Sequence, residues 1–147
     1  MYFEDVKVGD RLSPLEHRPS NIQLFRFSAI TWNAHRIHYD REYALSEGYP
    51  DVLVQSHLHG CFLSQAALLW AGEEGILRRF RWENRHFAIP GDVLTCDGVV
   101  TALTESDGVG LVDLELTEKN QEGVVCAPGW ATVELPRRVL QPQEVKS

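Results

Sequence analysis

The chain has 147 residues, of which 44% are hydrophobic and 24% charged, with a formal net charge of -7. This suits one soluble domain with a real core. The acidic balance argues against a nucleic-acid footprint and against docking on an anionic membrane, although local Arg residues can still hold an anionic small ligand. Cys61, Cys96 and Cys126 form an odd, sparse set with no Cys-x-x-Cys, so no disulfide framework is expected and a reducing, cytoplasmic setting is. Met1-Tyr2-Phe3-Glu4-Asp5 lacks the basic and apolar regions of a signal peptide. The longest apolar run, Cys61 to Ala71, is interrupted by Ser64 and Gln65 and is too short to span a bilayer.

Phe3 to Leu12 reads as an extended lead-in, with Val6, Val8 and Leu12 alternating around the Gly9-Asp10 turn. Pro19-Ser20 offers an N-cap, and Ile22, Phe25, Ala29 and Trp32 then recur at helical spacing. A helix is expected from Asn21 to about Thr31. Asp40 caps a second, short helix that stops near Gly48, because Pro50 forbids easy continuation. Val52-Leu53-Val54 is a brief extended run. From His57 to about Trp70 the chain is rich in Leu, Ala and Phe on nearly all sides, the pattern of a buried central helix.

Strands follow. Phe80 to Phe87 alternates, Pro90-Gly91-Asp92 turns, and Val93 to Leu103 is β-rich. Ser106-Asp107-Gly108 turns into Val109 to Leu116, and Asn120-Gln121-Glu122-Gly123 makes a hairpin into Val124 to Leu135. A polar, Pro-containing tail ends the chain, frayed from about residue 141. The order implies an α+β domain over residues 1–140, an antiparallel sheet wrapped around one buried helix.

Asn33 to Asp40 carries the densest chemistry: an amide, two imidazoles, a guanidinium and a carboxylate among Trp32, Ile37 and Tyr39, which usually seek burial. His38 can exchange a proton near neutrality, and the Asn33 amide can hold a water or a carbonyl. The bland alternative is a His bonded to a backbone carbonyl beside a helix end. His35, His38, His57 and His59 invite a zinc reading by spacing, but no carboxylate or thiol motif supports it.

Gln55-Ser56-His57 opens the central helix, where free N–H groups can polarise a carbonyl as an oxyanion hole does. Ser56 also serves as a simple cap, and it lacks the Gly-x-Ser-x-Gly setting of a hydrolase nucleophile. Cys61 is expected to be an inert core residue. Alternation puts Arg79, Arg81 and Arg85 on one strand face, either as a phosphate-binding row or as a solvated edge. Trp32, Trp70 and Trp82 line a pocket or fill the core.

The run Phe27 to Asp40, with Tyr43-Ala44 and Gly48-Tyr49-Pro50, resembles the hydratase motif of the MaoC-like proteins. These are hot-dog-fold (R)-specific enoyl-CoA hydratases and dehydratases. Ile37-His38-Tyr39-Asp40 matches the end of that motif, and Ile89-Pro90-Gly91-Asp92-Val93-Leu94 is similar to the family's Pro-Gly-Asp turn. The likeness covers about residues 3 to 135. The family's catalytic dyad is Asp plus His, and here Asn33 stands at the Asp position. That form is more similar to a branch holding mesaconyl-CoA hydratases and 3-hydroxyacyl thioester dehydratases. Ser56 and His57 replace the Gly and Pro expected there.

The resemblance implies hydration of an enoyl-CoA or dehydration of a 3-hydroxyacyl-CoA. His38 and Asn33 would hold the water, and Gln55, Ser56 and His57 would bind at the thioester. Arg79, Arg81 and Arg85 would meet the CoA phosphates. No cofactor or metal is implied. A homodimer or higher hot-dog oligomer is expected, with a heterodimer as a variant. The rivals are a non-catalytic or half-active partner subunit, an acyl-binding module without chemistry, and a hot-dog acyl-CoA thioesterase. The last is disfavoured because residues 57 to 71 hold no Asp or Glu.

Overall fold

Ser20 begins the first helix, α1 (Asn21–Thr31), by accepting from the Gln23 N–H at 3.2 Å. Asp40 caps α2 (Arg41–Ser46) in the same way, accepting from the Tyr43 N–H at 3.1 Å. Both helices lie where the sequence placed them. The long helix α3 runs from Ser56 to Ala71. The computed structural model describes residues 1–106 and 108–138. The expected tail from residue 141 and Asp107 of the expected turn lie outside the described residues.

Five strands form one antiparallel sheet in the order β1-β3-β4-β5-β2. They are β1 (Leu15–His17), β2 (Ile76–Trp82), β3 (Leu94–Ser106), β4 (Val109–Lys119) and β5 (Val125–Leu135). α3 packs on the sheet, and its Leu58, Phe62, Leu63, Ala66 and Ala67 join Val112, Leu114, Leu116, Ala131 and Val133 in one core. This is the hot-dog arrangement: a sheet wrapped round a helix, each hiding the apolar face of the other. Gly60 permits a close approach of α3 to β2, since a Cβ there would lie 2.8 Å from the Trp82 ring.

Several expectations change. The Phe3–Leu12 lead-in is no strand. Phe3–Asp5 is a 3₁₀ turn, and the chain meets the sheet through an Arg11–Val99 bridge. β1 was not foreseen. β2 starts at Ile76 and stops at Trp82, well short of Phe87, and a register shift between Leu77 and Arg79 breaks its alternation. α3 is not buried all round: Leu69 is 62% exposed and Cys61 is exposed, so Cys61 is no core residue. Among the described residues no helix is long and apolar enough to cross a membrane.

Candidate active site

α1 ends on Trp32, which takes the left-handed conformation (φ 54°) and turns the chain sharply. Trp32 is 91% exposed, contrary to the burial its size suggests. The turn delivers Asn33, whose Oδ1 accepts from the His35 N–H at 3.3 Å. A 3₁₀ turn, Arg36–His38, follows, with His35 Nδ1 accepting from the Ile37 N–H. Arg36 donates to Asp40 at 2.6 and 2.9 Å and holds that carboxyl below the usual carboxylate range. Tyr39 donates its hydroxyl proton to Ala34 O at 2.8 Å. The segment is thus stitched locally, without long-range partners for His35, Arg36 or Tyr39 among these bonds.

His38 is the exception. It is buried, and its Nδ1 bonds Leu53 O at 2.8 Å. The bland reading of a carbonyl-bonded His is therefore correct as geometry, and the same bond fixes the ring's tautomer. A carbonyl can only accept, so Nδ1 carries the proton and Nε2 is the basic nitrogen. Burial pushes the His38 pKa down from its ordinary value, with the Leu53 bond opposing and His35 adding to the fall. A neutral imidazole at neutral pH suits a general base.

The extended run Val52–Val54 leads into α3 and is held by Leu53 N–H donating to Ile37 O and Val54 N–H donating to Ala88 O, each at 2.8 Å. Ser56 does not cap the helix. Gln55 is the N-cap, without a side-chain bond, and Ser56 is the first helical residue. The Ser56 and His57 N–H groups thus stand in the uncapped first turn, where a helix has no partner for them. Trp82 ties this turn to β2 by donating from Nε1 to Ser56 O at 3.1 Å, and His57 lies edge-on to the same indole at 5.6 Å.

A cavity of about 530 Å³ gathers Asn33, His38, Ser56, His57, His59 and Arg85. Five of the eight sequence-predicted residues therefore meet. Gln55 does not: its buried amide points the other way, donating to Leu24 O at 2.7 Å and Ser28 Oγ at 2.9 Å. Arg79 and Arg81 line a different cavity, on the sheet with Trp130, over which Arg81 lies at 3.8 Å. Arg85 lies beyond the end of β2, so the three Arg residues do not share one strand face. His35, His38, His57 and His59 make no metal cluster: among the described residues no group of three or more His, Cys, Asp or Glu is placed to hold one.

Sequence reasoning passed over two features. A second cavity of about 560 Å³ also reaches His38 and carries Arg26 and Arg41. Inside, Glu118 of β4 is fully buried and its Oε1 accepts from His59 Nδ1. Its signal was present in the parity of β4: Val112, Leu114 and Leu116 face inward, and Glu118 is next in phase.

Residues 8–90 match the model of the hydroxyacyl-thioester dehydratase type 2 family. A 45-residue stretch, 30% of the chain, is 58% identical to the mesaconyl-C(4)-CoA hydratase of Chloroflexus aurantiacus, and it spans only 16% of that protein. The fold is similar to the R-hydratase PhaJ1 of Pseudomonas aeruginosa, with a TM-score of 0.84 and 19% identity over 99% of this chain and 96% of that one. It is also similar to the (R)-hydratase of A. caviae, with a TM-score of 0.81 and 22% identity over 90% of this chain and 99% of that one. The ChsH1-ChsH2 complex of Mycobacterium tuberculosis contains a further similar chain, with a TM-score of 0.79 and 18% identity over 88% of this chain and 98% of that one. At these identities the structural likenesses establish the hot-dog fold.

Proposed function

The chain belongs to the hydroxyacyl-thioester dehydratase type 2 family, and from that premise we propose that it adds water to enoyl-CoA thioesters or removes it from 3-hydroxyacyl-CoA thioesters. The observation that carries this reading is the cavity that holds His38, Asn33 and the uncapped start of α3 together. The thioester oxygen lies against the Ser56 and His57 N–H groups, which stabilise the enolate as charge develops. Water lies between Asn33 and His38. His38 Nε2 removes its proton as the oxygen adds to the β-carbon, and in dehydration the transfer reverses. Arg85 is the phosphate contact this reading keeps, since Arg79 and Arg81 line another cavity. The chain works in a reducing cytosol.

The test is hydration of crotonyl-CoA by the chain alone, followed by loss of the enoyl absorbance. Turnover supports the reading. Free thiol release instead of hydration points to a thioesterase, and acyl-CoA binding without turnover points to a binding module.

A second reading has its own support. Asn33 replaces the carboxylate of the family dyad. Ile22, Phe25, Ile30 and Trp32 also leave an apolar face exposed on and after α1, next to the site. A partner subunit of a heteromeric hydratase fits both facts. Inactivity of the chain at every concentration favours it.

A further inference from the structure

Glu118 occupies a position where the inward row of β4 calls for another aliphatic side chain. Its Oε1 accepts from His59 Nδ1, and its Oε2 accepts from the Cys96 thiol at 3.7 Å. Burying a carboxylate is costly, and a buried charged pair is seldom more stable than apolar side chains of the same volume. Packing alone gives no reason for the pair.

His59 gives a reason. It stands three residues after Ser56 in α3, on the same helix face, and it lines the cavity that holds His38 and Asn33. With Nδ1 committed to Glu118, Nε2 is the ring nitrogen left for the cavity. The arrangement is an imidazole oriented by a carboxylate, brought from two distant parts of the chain to a site whose own dyad lacks its acid. Resting on the hydratase reading above, we propose that His59 is the second proton-transfer residue of this site and that Glu118 positions it.

The division of labour is as follows. His38 Nε2 takes one proton from water while the water oxygen bonds to the β-carbon. The π pair of the C=C bond moves to give the thioester enolate. His59, as imidazolium beside the Glu118 carboxylate, gives its Nε2 proton to the α-carbon. The proton gained by His38 returns to His59 through solvent in the open cavity. One H and one OH have been added, and nothing is oxidised or reduced. Other titratable groups also face the pair. His17 of β1, Cys96 of β3 and Cys126 of β5 surround Glu118, and His38 and His57 share the cavity with His59.

The test uses the full chain and crotonyl-CoA, with kcat and KM measured from about pH 5 to 9. The wild-type kcat is expected to be bell-shaped, as one base and one acid acting together require, with the low-pH fall set by His38 gaining a proton. His59→Gln is expected to lose about 10²-fold or more in kcat with KM changed less than about twofold, and to lose the high-pH limb. Glu118→Gln, which keeps a bonding partner for His59, is expected to shift that limb and lower kcat by a smaller factor. A purely structural pair would leave the limb in place. An active His59→Gln with wild-type kcat and pH profile overturns the proposal. So does a wild-type profile with a low-pH limb only, which decides the matter even if the variants do not fold. A wild-type chain that does not hydrate crotonyl-CoA removes the hydratase reading itself. An active wild type with an indifferent His59→Gln removes only the role of His59.

Discussion

The cavity has two polar walls built on opposite principles. One is the Asn33–Asp40 segment, whose bonds run almost entirely between near neighbours and whose side chains other than His38 meet solvent. The other is His59 with Glu118, a buried pair joined across 59 positions of sequence by helix and sheet. The first wall can change without disturbing the core, whereas the second is part of it. Chemistry and stability should therefore separate when the two walls are altered in turn.

The largest effect is expected at the first wall. His38→Ala should lower kcat by about 10²–10⁴-fold while the protein remains folded by circular dichroism. A variant that keeps most of its turnover would remove His38 from the mechanism. At the second wall, Glu118→Ala strips one partner from a buried pair and should cost about 3–5 kcal/mol in urea unfolding. An unchanged midpoint would mean that the pair is not enclosed as described. Between the walls, Gly60→Ala drives a methyl group into the Trp82 ring and should cost about 1–3 kcal/mol. Trp32→Gly should act in the opposite direction, since the left-handed backbone there suits glycine, with a gain of about 0.5–1 kcal/mol seen as a raised Tm. A loss on this substitution would point to a contact made by the indole in an assembly.

The gentlest probe is pH. His38 and His17 both have pKa values pushed below the ordinary 6.5, chiefly by burial. Their folded forms favour the neutral ring, so the stability they confer is complete above the unfolded value and is lost as pH falls through the lowered folded one. Urea midpoints should therefore decline below about pH 6.5 and stay flat just above it. A midpoint that rose on acidification would contradict the burial of these rings.

The same contrast explains what could be read from the sequence. α1 and α2 were legible because their signals are local: Ser20 and Asp40 as caps, Gly48 and Pro50 as stops. The hairpin at Asn120–Gly123 was legible for the same reason, with Asn120 Oδ1 accepting from the Glu122 and Val124 N–H groups. β1 escaped because three residues paired only with β3 carry no period of their own. Glu118 escaped because Thr117-Glu118-Lys119 reads as a polar strand end, which hides the inward parity that the pairing with β5 carries on to Lys119. Trp32 misled because residue type predicts burial, whereas its place at the end of α1 decides direction.

Ser28 joins three parts of the molecule: α1, the turn after it and the start of α3. Its carbonyl accepts from the Trp32 and Asn33 N–H groups that end α1, and its hydroxyl accepts from Gln55, the residue that opens α3. One buried serine thus couples both sides of the cavity to a single helix whose outer face is apolar and exposed. α1 is thereby bonded at one residue both to the turn that carries Asn33 and to the N-cap of α3. By linkage, a partner on that face that changed the affinity for a thioester in the cavity would have its own affinity changed by the thioester by the same factor.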